Sequence, residues 1–251
     1  MKRVAYLFAV ALAISPAWAL AQDLAGFLKA GDDMRDKFDN KSALEQYRQA
    51  AAADPNNLDA QTRLAQALVD NGEDTASKES EQFYLEAVDV ATKITQKNPT
   101  LAEGHYLLAL AYGKLALFRG GNEKVKLSRS VERSGKKALE LNPNHANAHI
   151  LMGVYYREIA NLSWILKKFA NAFFGGLPAG TNEDSLQELK KAVEFNTLSV
   201  RARYELGKTL DTMGNKKEAA ESYKKAAEIP MIDHMDAKYI AEAKLRLRDL
   251  R

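Results

Sequence analysis

The chain has 251 residues, contains no cysteine and carries a formal net charge of +3 at neutral pH. The lack of cysteine excludes disulfide bonds, thiol chemistry and lipoprotein attachment. Glycine and proline are scarce, with 14 and 6 residues, whereas alanine, leucine, lysine and glutamate are abundant. This composition favours helices over sheets.

The first residues have the pattern of a secretory signal peptide. Met1-Lys2-Arg3 is followed by a mostly apolar run over residues 4–14, and Ala19-Leu20-Ala21 is a small-x-small cleavage site. We therefore expect cleavage after Ala21, a mature chain that begins at Gln22, and a periplasmic location. The apolar run is shorter than the roughly 20 residues that a bilayer span requires, so no transmembrane helix is expected after cleavage. An uncleaved N-terminal anchor is the alternative.

Cleavage would also change the charge balance. Residues 1–21 contain Lys2 and Arg3 but no acidic residue, so the net charge would fall from +3 to +1. A nucleic-acid partner is therefore not expected. The sequence also lacks a glycine-rich phosphate loop, a nucleophile motif and a paired-carboxylate pattern. We predict a non-catalytic protein that needs no cofactor.

The rest of the chain contains an internal repeat. Five segments end in a similar way, at steps of 44, 44, 54 and 33 residues: Ala50 to Pro55, Ile94 to Pro99, Ala138 to Pro143, Ala192 to Thr197 and Ala226 to Pro230. About ten positions after each of the first four ends stands a small residue: Ala65, Ala109, Gly153 and Gly207. Small residues at this spacing let paired helices approach closely, which is typical of the tetratricopeptide repeat of about 34 residues.

The repeat predicts an all-α tetratricopeptide-repeat solenoid of about five helix pairs. The expected domain covers residues 22–251, after a signal peptide at 1–21. Its predicted units are 24–57, 58–101, 102–144, 145–198 and 199–231, and an amphipathic capping helix follows at 234–251. We expect Gly153 and Gly207 to lie where the two helices of one pair touch.

The fourth predicted unit carries a helical insertion that contains more apolar bulk than a connector needs. Between Ala148 and Phe174, the only residue that weakens a helix is Gly153. The sequence therefore predicts an uninterrupted helix that Gly175 and Gly176 terminate. Its large apolar residues after residue 160 are Leu162, Trp164, Ile165, Leu166, Phe169, Phe173 and Phe174. A capping box from Thr181 to Asp184 then restarts the helical pattern.

Three stretches resemble the regulator of microtubule dynamics family. They are Leu108-Ala-Leu-Ala-Tyr-Gly113, the insertion Asn161-Leu-Ser-Trp-Ile-Leu-Lys-Lys-Phe-Ala-Asn-Ala-Phe-Phe-Gly-Gly-Leu-Pro178, and Ser185-Leu-Gln-Glu-Leu-Lys-Lys-Ala192. The similarity covers about residues 101–250, and the insertion is its specific part. The resemblance implies a tetratricopeptide fold and, from phospholipid binding by one membrane-tethering member, a hydrophobic ligand. It does not imply the family's cytoplasmic microtubule role for an exported chain.

The predicted concave wall of the solenoid is apolar at its centre. Residues at the fifth and ninth places of each first helix face this wall, and the third and fourth units place Tyr106, Leu110, Ile150 and Val154 there. An exposed apolar patch of this kind needs either a cover or a ligand. The candidate ligand-binding set therefore joins these wall residues to the insertion: Tyr106, Leu110, Ile150, Val154, Trp164, Phe169 and Phe173.

Two arrangements of this set are open. Either the inserted helix fills the groove as core, or the insertion and the groove enclose an acyl chain. The predicted function is thus a binding module for a hydrophobic ligand such as a phospholipid. The alternative is a scaffold that holds a protein partner in the periplasm.

A basic stripe and a histidine pair complete the candidates. Four cations share one face of a predicted second helix and form a candidate anion-binding site: Lys126, Arg129, Arg133 and Lys137. They would dock phosphate head groups or an acidic partner, or else form a solvated outer face.

The inserted helix, with Lys167 and Lys168 beside Trp164, has the amphipathic pattern of a peripheral membrane contact. His145 and His149 lie one turn apart but lack a third ligand nearby, so no metal site is predicted.

Overall fold

The computed structural model describes residues 17–75, 77–177 and 179–250, with side chains from Asp23 onward. Most of the predicted signal peptide, residues 1–16, and Pro178 at the end of the insertion lie outside the described residues. The described residues form twelve α-helices and no β-strand. None of these helices is long and apolar enough to cross a membrane.

Ten of the helices form five antiparallel pairs. The helices are α1 (Ala17–Arg35), α2 (Asn40–Ala53), α3 (Leu58–Asp74), α4 (Ser80–Lys97), α5 (Ala102–Arg119), α6 (Gly121–Leu141), α7 (Ala146–Ala160), α8 (Trp164–Phe174), α9 (Asn182–Phe195), α10 (Val200–Thr212), α11 (Lys216–Glu228) and α12 (Asp236–Asp249). The pairs are α1 with α2, α3 with α4, α5 with α6, α7 with α9, and α10 with α11. Helix α12 covers the last pair, and α8 is the insertion in the fourth pair. The predicted solenoid with its capping helix and its helical insertion is confirmed.

Small residues set the close approach within a pair. A Cβ atom built on Gly153 of α7 would lie 2.5 Å from the Cγ atom of Leu189 on α9. A Cβ atom built on Gly207 of α10 would lie 2.8 Å from the ring of Tyr223 on α11. Both distances are shorter than normal carbon contacts, so only glycine permits this packing. These two glycines lie where the repeat pattern places them.

Side-chain caps fix the ends of the fourth pair's helices. Thr181 accepts a hydrogen bond from the backbone N–H of Asp184 at 3.0 Å, and Asp184 accepts one from the backbone N–H of Thr181 at 2.9 Å. The two bonds satisfy two backbone donors that a helix N-terminus leaves unpaired. The predicted capping box at the start of α9 is confirmed.

The prediction of one uninterrupted helix from residue 148 to 174 is wrong. Helix α7 ends at Ala160, and the side-chain amide of Asn161 donates to the carbonyl of Arg157 at 2.8 Å. The hydroxyl of Ser163 then caps α8 by accepting from the backbone N–H of Leu166. Asparagine and serine compete with helical hydrogen bonds in this way, so a short polar sequence breaks the helix without glycine or proline.

The prediction that the insertion packs against the concave wall is also wrong. Helix α8 packs on α6, a second helix of a pair, and its C-terminal end is held there by Arg129. The guanidinium of Arg129 donates to the carbonyls of Phe174 and, at 3.0 Å, of Gly176. Trp164 is 65% exposed and Phe173 is 71% exposed. The concave side is instead covered by the C-terminal segment, which leaves the insertion outside.

Candidate functional site

The first helices of the pairs and the C-terminal segment surround a concave cavity of about 450 Å³. We call it the concave cavity. Its walls come from the turn between α1 and α2, from α3, α5 and α7, from the start of α10 and the segment before it, and from the segment before α12 with the start of α12. Three of the predicted wall residues, Tyr106, Leu110 and Ile150, line it. Its volume lies within the range of about 300–1,000 Å³ that is usual for ligand pockets.

The C-terminal segment closes the concave cavity through His234. The imidazole Nδ1 atom lies 2.8 Å from a carboxylate oxygen of Asp74 on α3, and the Nε2 atom lies 3.6 Å from Asp70. Burial alone would lower the pKa of His234, but Asp70, Asp233 and Asp74 together raise it to about 9. His234 is therefore a cation at neutral pH and ties the start of the cap to the second helix pair.

A buried ion pair crosses from α3 to α5 beside the concave cavity. The ammonium of Lys114 donates to the carboxylate of Glu73, and these side chains are only 15% and 12% exposed. Burial opposes the ionisation of Glu73, yet the positive charges of Lys114 and Arg201 lower its pKa overall. Glu73 therefore stays ionised, and its charge is balanced within the protein.

Arg201 on α10 also lines the concave cavity and is half-buried. Its Nε atom is buried without a hydrogen-bond partner, and the negative charges of Glu73 and Glu205 favour its charged form. The phenols of Tyr106 and Tyr239 are its neighbours, and their hydroxyls line the same cavity. Burial raises the pKa of both phenols, that of Tyr239 to about 12, so both are protonated and able to donate.

A second, apolar pocket lies between α5, α6 and α7. Its volume is about 80 Å³, and its lining includes Leu110, Val154, Tyr155 and Leu162. Val154 thus faces this pocket and does not line the concave cavity. The hydroxyl of Tyr155 is buried there without a hydrogen-bond partner.

The structure does not bring the seven predicted ligand-binding residues together. Trp164, Phe169 and Phe173 lie on α8 and line neither the concave cavity nor the apolar pocket. The rings of Phe169 and Phe173 pack on each other with centroids 4.9 Å apart, and the ammonium of Lys168 lies 4.8 Å from the centre of the Trp164 ring. These side chains form an exposed apolar face on the outer layer of helices.

The four cations of the basic stripe lie along α6, and three of them contact groups of this chain. Arg129 holds the end of α8, Lys126 pairs with Glu123, and Lys137 pairs with Glu140 at 2.7 Å. Arg133 is exposed and forms no ion pair within the described residues. The stripe therefore serves local structure at three of its four positions.

The histidine pair on α7 does not converge on a shared ion. The Nδ1 atom of His149 lies 2.5 Å from a carboxylate oxygen of Glu188, while His145 caps α7 and lies 3.0 Å from Glu103. A different group, Asp70, Glu73 and His234, brings its ligand atoms within 4.8 Å of one another and could hold a metal ion. Its charges are already balanced by Lys114 and by the histidine itself.

Helix pairs stacked around a concave cavity define a tetratricopeptide-like helical-repeat scaffold. A solved structure, that of a thermophilic tetratricopeptide protein from Thermus thermophilus, is similar with a TM-score of 0.66 and 21% sequence identity, and covers 88% of this chain and 99% of that chain. At this identity the similarity establishes the fold.

Residues 27–251 match the family model described as Regulator of microtubule dynamics protein 1-3, and the chain belongs to that family. The chain is 30% identical over 179 residues to regulator of microtubule dynamics protein 3 from Rattus norvegicus, which covers 70% of this chain and 38% of the relative. It is 30% identical over 190 residues to regulator of microtubule dynamics protein 1 from Bos taurus, covering 74% and 60%. The match thus spans less than two thirds of these relatives' own length. The predicted family resemblance is confirmed.

Proposed function

We propose that this protein is a non-catalytic scaffold that holds a segment of a protein partner in the concave cavity. The observation that carries the proposal is the cavity itself, which is about 450 Å³ in volume and is lined by charged and hydroxyl groups from several helices and from the C-terminal segment. Polar groups such as Arg201, Tyr106 and Tyr239 suit the backbone and side chains of a peptide, which needs hydrogen-bond partners when it leaves water.

A hydrophobic ligand such as a phospholipid is the second candidate, and the apolar pocket supports it. Leu110, Val154 and Leu162 line that pocket, so two of the predicted wall residues and the start of the insertion do meet. However, its volume of about 80 Å³ is well below the range of about 300–1,000 Å³ typical of ligand pockets. The inserted helix also does not roof the groove. We therefore rank the protein partner first.

Site-specific photocrosslinking in cells tests the protein-partner proposal. A benzophenone amino acid placed at Asn147, which is exposed and lines the concave cavity, is expected to form a discrete adduct with one protein. The matched control is Lys224 on the outer helix α11, where the side chain is 71% exposed. No adduct at Asn147, or the same adduct at both positions, contradicts the proposal.

Solvent extraction followed by mass spectrometry tests the second candidate. If the scaffold proposal holds, the purified protein is expected to release no lipid in stoichiometric amount. A lipid recovered at about one molecule per chain, and lost when Val154→Trp fills the apolar pocket, would instead favour the hydrophobic ligand.

We further propose that the scaffold works in the periplasm as a mature chain that begins at Gln22. The support is the basic start, the short apolar run and the Ala19-Leu20-Ala21 site. N-terminal sequencing of protein from the periplasmic fraction is expected to return Gln22. A membrane-bound product that begins at Met1 would show that the segment remains as an anchor.

A further inference from the structure

Helix α8 turns large apolar side chains toward solvent. Ile165 is 60% exposed and joins the exposed Trp164 and Phe173, and we call these three side chains the exposed face of α8. Ala170 is the one residue of this helix that is fully buried. A surface helix normally turns charged and polar residues outward. An apolar face that remains in water in this way marks a contact site.

The charges that border the exposed face of α8 are positive. Residues 160–180 contain Lys167 and Lys168 but no aspartate or glutamate. The ammonium of Lys167 donates to a backbone carbonyl at 3.0 Å, and that of Lys168 lies over the ring of Trp164. Arg129 of α6, at the C-terminal end of α8, also donates to carbonyls. Within the described residues these three cations therefore contact neutral groups and leave their charge for a partner.

This combination of side chains suits a lipid surface. Helices that lie in a membrane interface combine tryptophan and phenylalanine on one side with lysine on the polar side. The aliphatic stems of the lysines cover apolar surface while their ammonium groups reach into the polar layer. From Trp164 to Phe173 the face extends about 14 Å along the helix, at 1.5 Å per residue. A fluid headgroup layer accepts side chains spaced in this way, whereas a protein partner would need a groove of matching shape.

We propose that the exposed face of α8 docks the protein on the surface of a membrane that contains anionic phospholipids. The apolar side chains enter the headgroup layer, and Lys167, Lys168 and Arg129 are attracted to the lipid phosphates. The contact is peripheral, since no helix of the described residues is long and apolar enough to cross a membrane. Residues of α8 do not line the concave cavity, so this surface is additional to the proposed function and leaves the cavity free for the protein partner.

Vesicle binding with Trp164 as the reporter tests the assignment. Trp18 lies before the predicted cleavage site, so a chain that begins at Gln22 contains Trp164 as its single tryptophan. We expect this chain to sediment about tenfold more strongly with vesicles of phosphatidylcholine and phosphatidylglycerol in equal parts than with phosphatidylcholine alone. The fluorescence of Trp164 should shift to shorter wavelength as the indole leaves water. No sedimentation, equal sedimentation with both kinds of vesicle, or an unshifted emission overturns the proposal.

The double change Lys167→Glu with Lys168→Glu reverses the two charges on α8. This variant should bind the anionic vesicles at least about tenfold more weakly than the wild-type protein. The matched control is Lys224→Glu with Lys225→Glu, which changes the net charge equally at two exposed positions on α11. The control should bind as the wild-type protein does. An equal loss in both variants would mean that binding follows the net charge alone, and overturns the proposal.

The double change Ile165→Ser with Phe173→Ser removes apolar surface and keeps the reporter. Vesicle binding should fall about tenfold, because buried apolar area contributes to interfacial binding. The melting temperature should stay the same, since both side chains are exposed. The matched control is Leu198→Ser with Leu245→Ser, two exposed apolar positions outside α8, and it should bind as the wild-type protein does. Unchanged binding by the α8 variant overturns the proposal.

Photocrosslinking separates this inference from the proposed function. A benzophenone amino acid at Ala172, an exposed position on α8, is expected to label phospholipid and to form no discrete protein adduct. A discrete protein adduct at Ala172 would assign the face to a protein and overturn the proposal. Vesicle binding without an adduct at Asn147 would support the docking surface and contradict the proposed function alone.

Discussion

Single glycines decide how closely paired helices approach. Replacing Gly153 or Gly207 with leucine should lower the free energy of unfolding by about 1–3 kcal/mol, because the new side chain meets Leu189 or the Tyr223 ring. The control is Gly113→Ala, where an added Cβ meets nothing within 4 Å. That change should raise stability by roughly 0.5–1 kcal/mol through helix propensity. Chemical denaturation measures all three, and an unchanged midpoint for Gly207→Leu would contradict the packing.

His234 makes the stability of the protein depend on pH. Its pKa is about 9 in the folded protein, where Asp70, Asp74 and Asp233 surround it and Asp236 lies close by, and about 6.5 when unfolded. Because the folded value is the higher one, its stabilising contribution is fully present below about pH 6.5. This contribution, on the order of 2 kcal/mol, should be lost as the pH rises from 6.5 through 9.

The variant His234→Gln measures this contribution. The melting temperature of the wild-type protein should fall between pH 6.5 and pH 9.5. The variant should not show this part of the fall. Parallel curves for the two proteins over that range would show that His234 is not held as a cation between Asp70 and Asp74.

At the scale of elements, α8 is attached to the outer layer by few contacts. The double change Trp164→Ser with Phe173→Ser should alter the free energy of unfolding by no more than about 0.5 kcal/mol, because both side chains are mostly exposed. The control is Leu162→Ala, a buried position whose truncation should cost about 2–5 kcal/mol. If the double variant loses several kcal/mol, the inserted helix is buried after all, as the sequence first predicted.

Arg129 anchors the C-terminal end of α8. Arg129→Ala removes the donors to the carbonyls of Phe174 and Gly176, so the backbone amides near that end should exchange hydrogen faster, with little change in melting temperature. Arg133→Ala is the matched control, because Arg133 lies one turn further along α6 without an ion pair among the described residues. Equal exchange in both variants would contradict the anchoring role.

Many residues of the concave cavity can be predicted from their positions within the repeat. Counted from the start of each first helix, Glu103, Asn147 and Arg201 occupy the second place, and Asp70 and Lys114 the thirteenth. These places share one helical face with the fifth and ninth, at spacings of three and four residues. The sequence analysis considered only the fifth and ninth places, which hold Tyr106, Leu110 and Ile150. It left out the charged residues at the second and thirteenth places, and therefore predicted an apolar wall.

The positions of α8 and of the C-terminal segment were not predictable from local patterns. The break before α8 depends on caps by Asn161 and Ser163, which are weak signals within an apolar stretch. The contact of His234 with Asp74 joins residues 160 positions apart. It depends on the curvature that accumulates over the stacked pairs, and helical periodicity carries no information on it.

At the scale of the whole molecule, the central claim is that the protein partner binds in the concave cavity and not on the exposed face of α8. Hydrogen exchange of the protein alone and with the partner identified by crosslinking at Asn147 tests this claim most directly. We expect new protection in α5, α7, α10 and the segment around His234, with no change in α8. Protection confined to α8 and α6, with the helices of the concave cavity unaffected, would contradict the claim.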